Sequence, residues 1–195
     1  MERYGGGAIM ICDYDPVWAA AFELERTCLH GVLGALVLTI EHVGSTSVPG
    51  LAAKPIIDLL VGVRSLTEAR SCGIEPLQAL GYTYLPQYES WLPGELFFRK
   101  GPPGPWTHHV HMMEPAHPHW EELILFRDYL RRHPEMVGAY ANVKKALALV
   151  FGEDIAGYRN AKHPFIQRVM ANAQAERDAT PHIEHHVASL SKPTP

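Results

Sequence analysis

The apolar positions fall into short dense runs in the first part of the chain and into a three-to-four-residue rhythm in the second. Ala35 to Val43 is rich in Val, Leu, Ile and Thr, and Ile56 to Val63 is a nearly unbroken aliphatic run, so both predict strands of a buried sheet. Tyr82 to Leu85, Leu96 to Lys100 and His108 to Met113 predict three more. Gly101-Pro102-Pro103-Gly104-Pro105 must be a turn or exposed loop, because its prolines offer no ladder donors. Asp15-Pro16 ahead of Val17, Trp18, Ala21, Phe22, Leu24 and Glu25 predicts a capped amphipathic helix closed by Gly31 or Gly34. A second helix is expected from Ser65 to about Ala79, broken near Gly73 and Pro76 and ended by Gly81. Trp120 to Arg132 and Pro134 to Phe151 read as core helices, the latter with Met136, Tyr140, Val143, Leu147 and Val150 as its buried stripe. A last helix, about Ala156 to Glu176 with a start or kink at Pro164, presents Phe165, Ile166, Val169 and Met170. The layout is α+β: a mixed sheet of about five strands with helices on one side, and a helical C-terminal half packed on it.

Composition narrows this picture. With 195 residues, 47% of them apolar, the chain suits one domain that needs no disulfide or metal for stability. Residues 1–175 are read as that domain and 176–195 as a polar, His-rich, flexible tail. A formal charge of −4 argues against coating nucleic acid or an anionic membrane, though not against a local basic site. The longest mostly apolar stretch, Leu33 to Ile40, is far shorter than the roughly 18 residues of a membrane span, and Gly5, Gly6 and Gly7 do not make a secretory core, so a cytoplasmic protein is expected. Cys12, Cys28 and Cys72 are odd in number, lack a CxxC and read as reduced, small core residues. The compositional excess is 12 histidines, clustered at 108 to 119 and 182 to 186.

Three features carry chemistry. Asp58 is the only charge within Ile56-Ile57-Asp58-Leu59-Leu60-Val61, and an ionised carboxylate in such a strand needs a partner, a metal or a solvent face. The preceding loop offers Gly44, Ser45, Thr46, Ser47, Gly50 and Lys54, the backbone donors, hydroxyls and cation that hold a phosphate; taken alone, such a stretch is also simply a turn. It is not a Walker loop, since Lys54 lies beyond Gly50 rather than beside it. His109-Val110-His111 would project two imidazoles from one strand face about 7 Å apart, as two ligands of one metal, two donors to a phosphate, or two exposed sheet residues. Arg99, Glu41 and His42 are placed to join the same cleft, Glu41 as an extra acid, whereas Glu114, His117 and His119 are expected to cap the helix at Trp120. Lys54 is the only cation the loop itself supplies.

The stretch Ile40-Glu41-His42-Val43-Gly44-Ser45-Thr46-Ser47-Val48-Pro49-Gly50-Leu51-Ala52-Ala53-Lys54-Pro55-Ile56-Ile57-Asp58-Leu59 resembles the signature of the GrpB family. The resemblance extends from Tyr14-Asp15-Pro16-Val17-Trp18 through Phe98-Arg99-Lys100, His109-Val110-His111 and Phe126-Arg127-Asp128-Tyr129-Leu130 to Tyr158 and Lys162. It implies a nucleotidyltransferase-like fold of the DNA polymerase beta type, in which a Gly-Ser turn precedes a strand carrying Asp-x-Asp and a neighbouring strand supplies a third acid. Gly44 and Ser45 match the turn and Asp58 the second acid, but Ile56 stands at the first, and His109 and His111 stand on the strand expected to bring the third. Three functions follow from the resemblance: nucleotidyl transfer with a divalent ion (Mg²⁺, Mn²⁺ or Zn²⁺) at Asp58, His109 and His111; a nucleotide- or phosphometabolite-binding module without turnover, since family members are joined to dephospho-coenzyme A kinase; or metal-dependent phosphohydrolysis. If an ion binds, imidazole ligation favours Zn²⁺, Mn²⁺ or Fe²⁺ over Mg²⁺; the alternative metal binder is the tail, through His182, His185 and His186.

Overall fold

Asp15 accepts a hydrogen bond from the Val17 amide at 2.9 Å and so starts helix α1, Val17–Leu33, which Gly34 closes in a positive-φ conformation. The computed structural model describes residues 8–102 and 106–179 of the chain. One short turn of helix then leads into strand β1, Val37–Val43, and the loop from Gly44 joins it to β2, Ile57–Val63. Ser65 caps α2, Leu66–Cys72, by accepting from the Glu68 amide, and α3, Ile74–Ala79, continues after the break at Gly73. Strands β3 (Tyr82–Tyr84), β4 (Leu96–Lys100) and β5 (His108–Met113) precede helices α4 (Pro118–Arg132), α5 (Pro134–Phe151) and α6 (Ile155–Ala179). Helix α6 runs through Pro164 and past Glu176 to Ala179. The prolines at 103 and 105 and the histidines at 182, 185 and 186 lie outside the described residues.

The sheet has the order β1-β2-β5-β4-β3, with β2 and β5 parallel and the other pairs antiparallel, so it is mixed as expected and the strands flanking the loop are neighbours. Side chains alternate across it. Ile40, Leu59, Val61, Val63, Val110 and Met112 bury against α1 to α3 through Trp18, Phe22, Leu29, Ala69 and Leu77. On the opposite face Val43, Leu60 and Met113 meet Trp120, Leu123 and Ile124 of α4. The C-terminal helices build a further core from Leu130, Val137, Tyr140, Phe165, Val169 and Ala173, into which Val48 and Leu51 of the loop insert.

Three expectations need correction. Helix α5 buries Val137, Tyr140 and Lys144, while Val150 is 75% exposed, so its inward stripe is rotated from the all-apolar one. Tyr140 is the pivot of both stripes, and Lys144 occupies the next inward position. Among the cysteines, Cys72 is exposed and Cys12 and Cys28 are only half-buried, since the aliphatic and aromatic side chains fill the core without them. Glu114 also behaves differently: its carboxylate accepts from the Leu66 amide at 2.9 Å and so caps α2, leaving His117 to cap α4.

The exposure of two leucines makes a test of this packing. Leu59, fully buried in the central strand, should cost about 2 to 5 kcal/mol when replaced by Ala, and Leu149→Ser, at a position 88% exposed on α5, should change stability by no more than about 0.5 kcal/mol. Equilibrium urea unfolding of both variants reads the difference.

Candidate metal and anion site

Strand register assembles the site. Asp58 on β2 pairs with His109 on β5, and Arg99 on β4 pairs with His109 from the other side, while Phe97 pairs with His111. With a period of two, Asp58, His109, His111, Phe97 and Arg99 therefore share the face that looks toward the C-terminal helices. His109 donates from Nδ1 to Asp58 Oδ1 at 3.0 Å, and His111 Nε2 lies 3.9 Å from the same oxygen. The two imidazole centroids are 6.5 Å apart, close to the spacing expected from sequence. Ligand atoms of Asp58, His109 and His111 all lie within 4.8 Å of one another, a set able to hold one ion. His111 has a second partner, since its Nδ1 donates to Glu95 Oε1 at 2.6 Å. A carboxylate in that position fixes the tautomer and leaves Nε2 to face Asp58.

The electrostatics follow. Burial pushes the Asp58 carboxyl up, but hydrogen bonds from His109 and His111 outweigh it and hold Asp58 well below the usual carboxylate range. Burial lowers His109, keeping it neutral; for His111 the same burial is overcome by Asp58 and Glu95, and its pKa is raised to about 9. His109 Nε2 is buried with no hydrogen-bond partner among the described residues.

The loop lies directly against Asp58. Gly44 has φ +70°, and a Cβ there would come within 2.1 Å of Asp58 Oδ2, so only glycine lets the backbone pass. Thr46 donates to the Ile56 carbonyl at 3.0 Å and contacts His42 Nε2 at 3.1 Å, while Ser47 donates to the Gly44 carbonyl at 2.7 Å. The hydroxyls of Thr46 and Ser47 thus hold the turn, and Ser45 is half-buried at its start. Arg127 of α4 donates to the His42 carbonyl at 3.1 Å and to Glu41 at 2.8 Å, and Arg131 donates to the Ser47 carbonyl at 2.8 Å. Glu41, expected as an extra acid, is drawn to Arg127 and stands opposite Leu60, not beside Asp58. His42 faces α1, stacked on Phe22 at 4.6 Å, and burial lowers its pKa to about 4.

Cations approach from the helices. Lys54 Nζ lies 5.1 Å from the Tyr158 ring centroid and Lys162 Nζ 4.7 Å from the same ring. Lys144, only 2% exposed, points from α5 with Nζ 4.6 Å from the Tyr140 ring and has no hydrogen-bond partner among the described residues. Burial lowers its pKa to about 7, with Lys162 adding to the shift and Asp58 opposing it; burial likewise takes Lys162 to about 8. Lys54 is also lowered, first by burial and then by Arg99. So Lys54 is not the only cation at this loop. Arg99 is buried beneath Tyr88, Phe97 and Trp106, its guanidinium donating to the Tyr88 hydroxyl at 2.5 Å. Lys144 and Glu95 were readable in principle: Lys144 continues the Val137, Tyr140 spacing, and Glu95 alternates in phase with Phe97 and Arg99.

Residues 8–172 match the GrpB protein family, and the chain belongs to it. It is 44% identical over 161 residues to the UPF0157 protein YqkA of Bacillus subtilis, covering 83% of this chain and 46% of that one, so the chain spans about half the length of that relative. The crystal structure of the conserved protein GrpB from Enterococcus faecalis superposes on 86% of this chain and 99% of its own with a TM-score of 0.79 at 36% identity. A dephospho-CoA kinase of Mycolicibacterium paratuberculosis is 30% identical over 190 residues, covering 85% of this chain and 46% of that protein. Among the described residues, no helix is long and apolar enough to cross a membrane.

The depressed lysine gives a signed pH dependence. Above about pH 7 folded Lys144 loses its proton while the unfolded chain, with an ordinary lysine, keeps it; the unfolded state then binds more protons and stability rises with pH until the unfolded lysine titrates. Lys144→Met should therefore be more stable than the parent below pH 7, and this advantage should shrink by about 2 kcal/mol between pH 7 and pH 9. Taking the difference between the two proteins at each pH cancels the opposite contribution of His111, which is present below its unfolded pKa and lost as pH rises through about 9. A difference that does not vary with pH would contradict the burial of an uncompensated charge.

Proposed function

We propose that the protein binds a nucleotide or other phosphorylated small molecule between the sheet and the C-terminal helices and acts on it as a nucleotidyltransferase. The observation that carries this reading is the meeting of two sets of groups at one site: Asp58, His109 and His111 on the sheet face, and Lys144 and Lys162, near enough for Asp58 to act on their charge, with Lys54 beside Lys162. Lysines so buried, one of them with no hydrogen-bond partner among the described residues, want an anion. Phosphate oxygens meet that need.

The donors on the sheet fit a divalent ion. Asp58 supplies an anionic oxygen, His109 a nitrogen and His111 a second once the ion displaces its proton, and Glu95 orients His111 from behind. When bound, such an ion polarises a phosphoryl oxygen and neutralises its charge. The remaining work belongs to the chain: Gly44 keeps the loop backbone against Asp58, Arg127 and Arg131 fix that loop to α4, and the lysines hold phosphate charge away from water.

A second reading has its own observation. Ile56 occupies the position of the first acid in the motif that the family resemblance implies, and Glu41 is committed to Arg127, which leaves one carboxylate facing the site. A site with the lysines intact and the carboxylates reduced suits a binding module without turnover. The likeness to a dephospho-CoA kinase, of which the matched part is under half, suits a module attached to enzymes of phosphorylated metabolites.

Calorimetric titration of metal-stripped protein with Zn²⁺ and Mn²⁺ tests the sheet side. Asp58→Ala should abolish uptake, and Glu95→Gln should weaken it about 10- to 100-fold while leaving the ligand atoms in place. With the ion present, nucleoside triphosphates should raise the melting temperature of the parent and much less that of Lys144→Met, since only a ligand of the folded state stabilises by mass action. Silence of all triphosphates would overturn the nucleotidyltransferase reading. Release of pyrophosphate from a bound triphosphate selects the transferase; binding without release selects the module.

A further inference from the structure

Trp91 is left unexplained by the site as described. It is 62% exposed, follows the short helical segment Pro86–Ser90, and stands within a loop that is pinned rather than loose. The His117 ring lies 3.0 Å from the Pro93 carbonyl through Nε2, and Gly94, at φ +88°, packs so tightly against that ring that a Cβ would approach it within 2.8 Å. The loop then ends at Glu95, the partner of His111. An exposed tryptophan held on so fixed a backbone costs hydrophobic stability and offers a flat face to a ligand.

Its surroundings tie it to the site from both sides. On the sheet side, Trp91 packs on Tyr88 at 5.6 Å between centroids, Tyr88 on Phe97 at 4.7 Å, and Phe97 on His111 at 4.9 Å and His109 at 5.3 Å, so a continuous row of rings runs from Trp91 to the histidines. On the helix side, the guanidinium of Arg159 lies 5.8 Å from the Trp91 ring. Arg159 follows Tyr158, the ring under Lys54 and Lys162, and is one turn before Lys162 itself. Trp91 and Arg159 thus stand at the outer end of a site whose inner end is built for phosphate.

We infer that Trp91, with Arg159 beside it, is the stacking platform for the base of a nucleotide whose phosphates occupy the Lys54, Lys144 and Lys162 cluster. The inference rests on the phosphate-binding reading above and makes it specific: the ligand carries a planar base, and a bare polyphosphate or a sugar phosphate lacks half of the contacts. Stacking on an aromatic face tolerates every base, so the platform selects nucleotides as a class; Arg159 adds a planar cation that can cover the same base or grip a phosphate or ribose oxygen.

The test uses the full chain, with unphosphorylated nucleosides, inorganic tripolyphosphate and nucleoside triphosphates as separate probes. Nucleosides at millimolar concentration should shift the indole N–H resonance of Trp91, assigned by its loss in Trp91→Ala, and leave those of Trp18, Trp106 and Trp120 in place. Nucleoside triphosphates should bind the parent about ten-fold more tightly than tripolyphosphate. In Trp91→Ala that preference should fall to about one-fold with tripolyphosphate affinity unchanged, and Trp91→Phe should recover part of it. Nucleosides that leave the Trp91 resonance unmoved, together with an unchanged preference in Trp91→Ala, would overturn the inference. A shifted Trp91 resonance with no tripolyphosphate binding would support the platform and instead overturn the phosphate reading.

Discussion

The carboxylate of Asp58 is the constraint from which the site is built. It sits at the second position of a central strand whose neighbours are aliphatic, about a quarter of its side chain exposed, and its charge is tolerable only because β5 brings His109 alongside it and His111 one step further on. That requirement fixes the parallel register of β2 and β5: a slip by one residue would turn both imidazoles to the α1 face and leave the carboxylate without a donor. It also fixes the residue at position 44. The chain must leave β1 and turn back beside Asp58 in a space where a single methyl group would collide with the carboxylate, and it does so with a left-handed glycine.

From that centre the rest of the molecule reads as support. Arg127 and Arg131 reach from α4 to the carbonyls of His42 and Ser47, on either side of Gly44, so the helical half and the turn cannot move independently. Val48 and Leu51 complete the tie by entering the core of α4, α5 and α6. The buried polar cluster on the opposite face does different work. There Tyr82 and Lys100 both donate to Glu25, at 2.9 and 2.8 Å, which satisfies its carboxylate and joins α1 to β3 and β4. Such a closed network stabilises; the lysines facing Asp58, lacking comparable acids, do not.

The elements were legible in the sequence because each announces itself locally: the aliphatic run of β2, the Asp-Pro start of α1, the Gly and Pro breaks between α2 and α3. Asp58 was legible for the same reason, as a lone charge in that run, and the His-x-His pair by its period. What escaped was decided by geometry across elements. Thr46 and Ser47 look like phosphate donors until the turn consumes their hydroxyls, and Glu41 looks like a missing acid until Arg127, 86 positions away, claims it. Lys144 escaped because its inward position rests on phase with Val137 and Tyr140, whereas apolar spacing alone follows Tyr140 to Val143 and Leu147.

That hidden lysine explains a tension in the charge balance. Lys54, Lys144, Lys162 and Arg99 converge where His111 already carries a proton near neutral pH, against the carboxylates of Asp58 and Glu95. Removing cations from water without matching anions raises the energy of the folded state, and the depressed lysine pKa values are the same cost seen through protonation. A chain selected for stability alone would place methionine or leucine at 144, which keeps the volume packed against Tyr140 without burying a charge. Keeping lysine there holds the site in a state that an anion relaxes. On the proposed reading, a phosphate at this site would restore the lysine charge, take up protons on binding, and gain an interaction that water cannot match in so enclosed a place. The stability forgone by burying Lys144 would then return as affinity for that ligand.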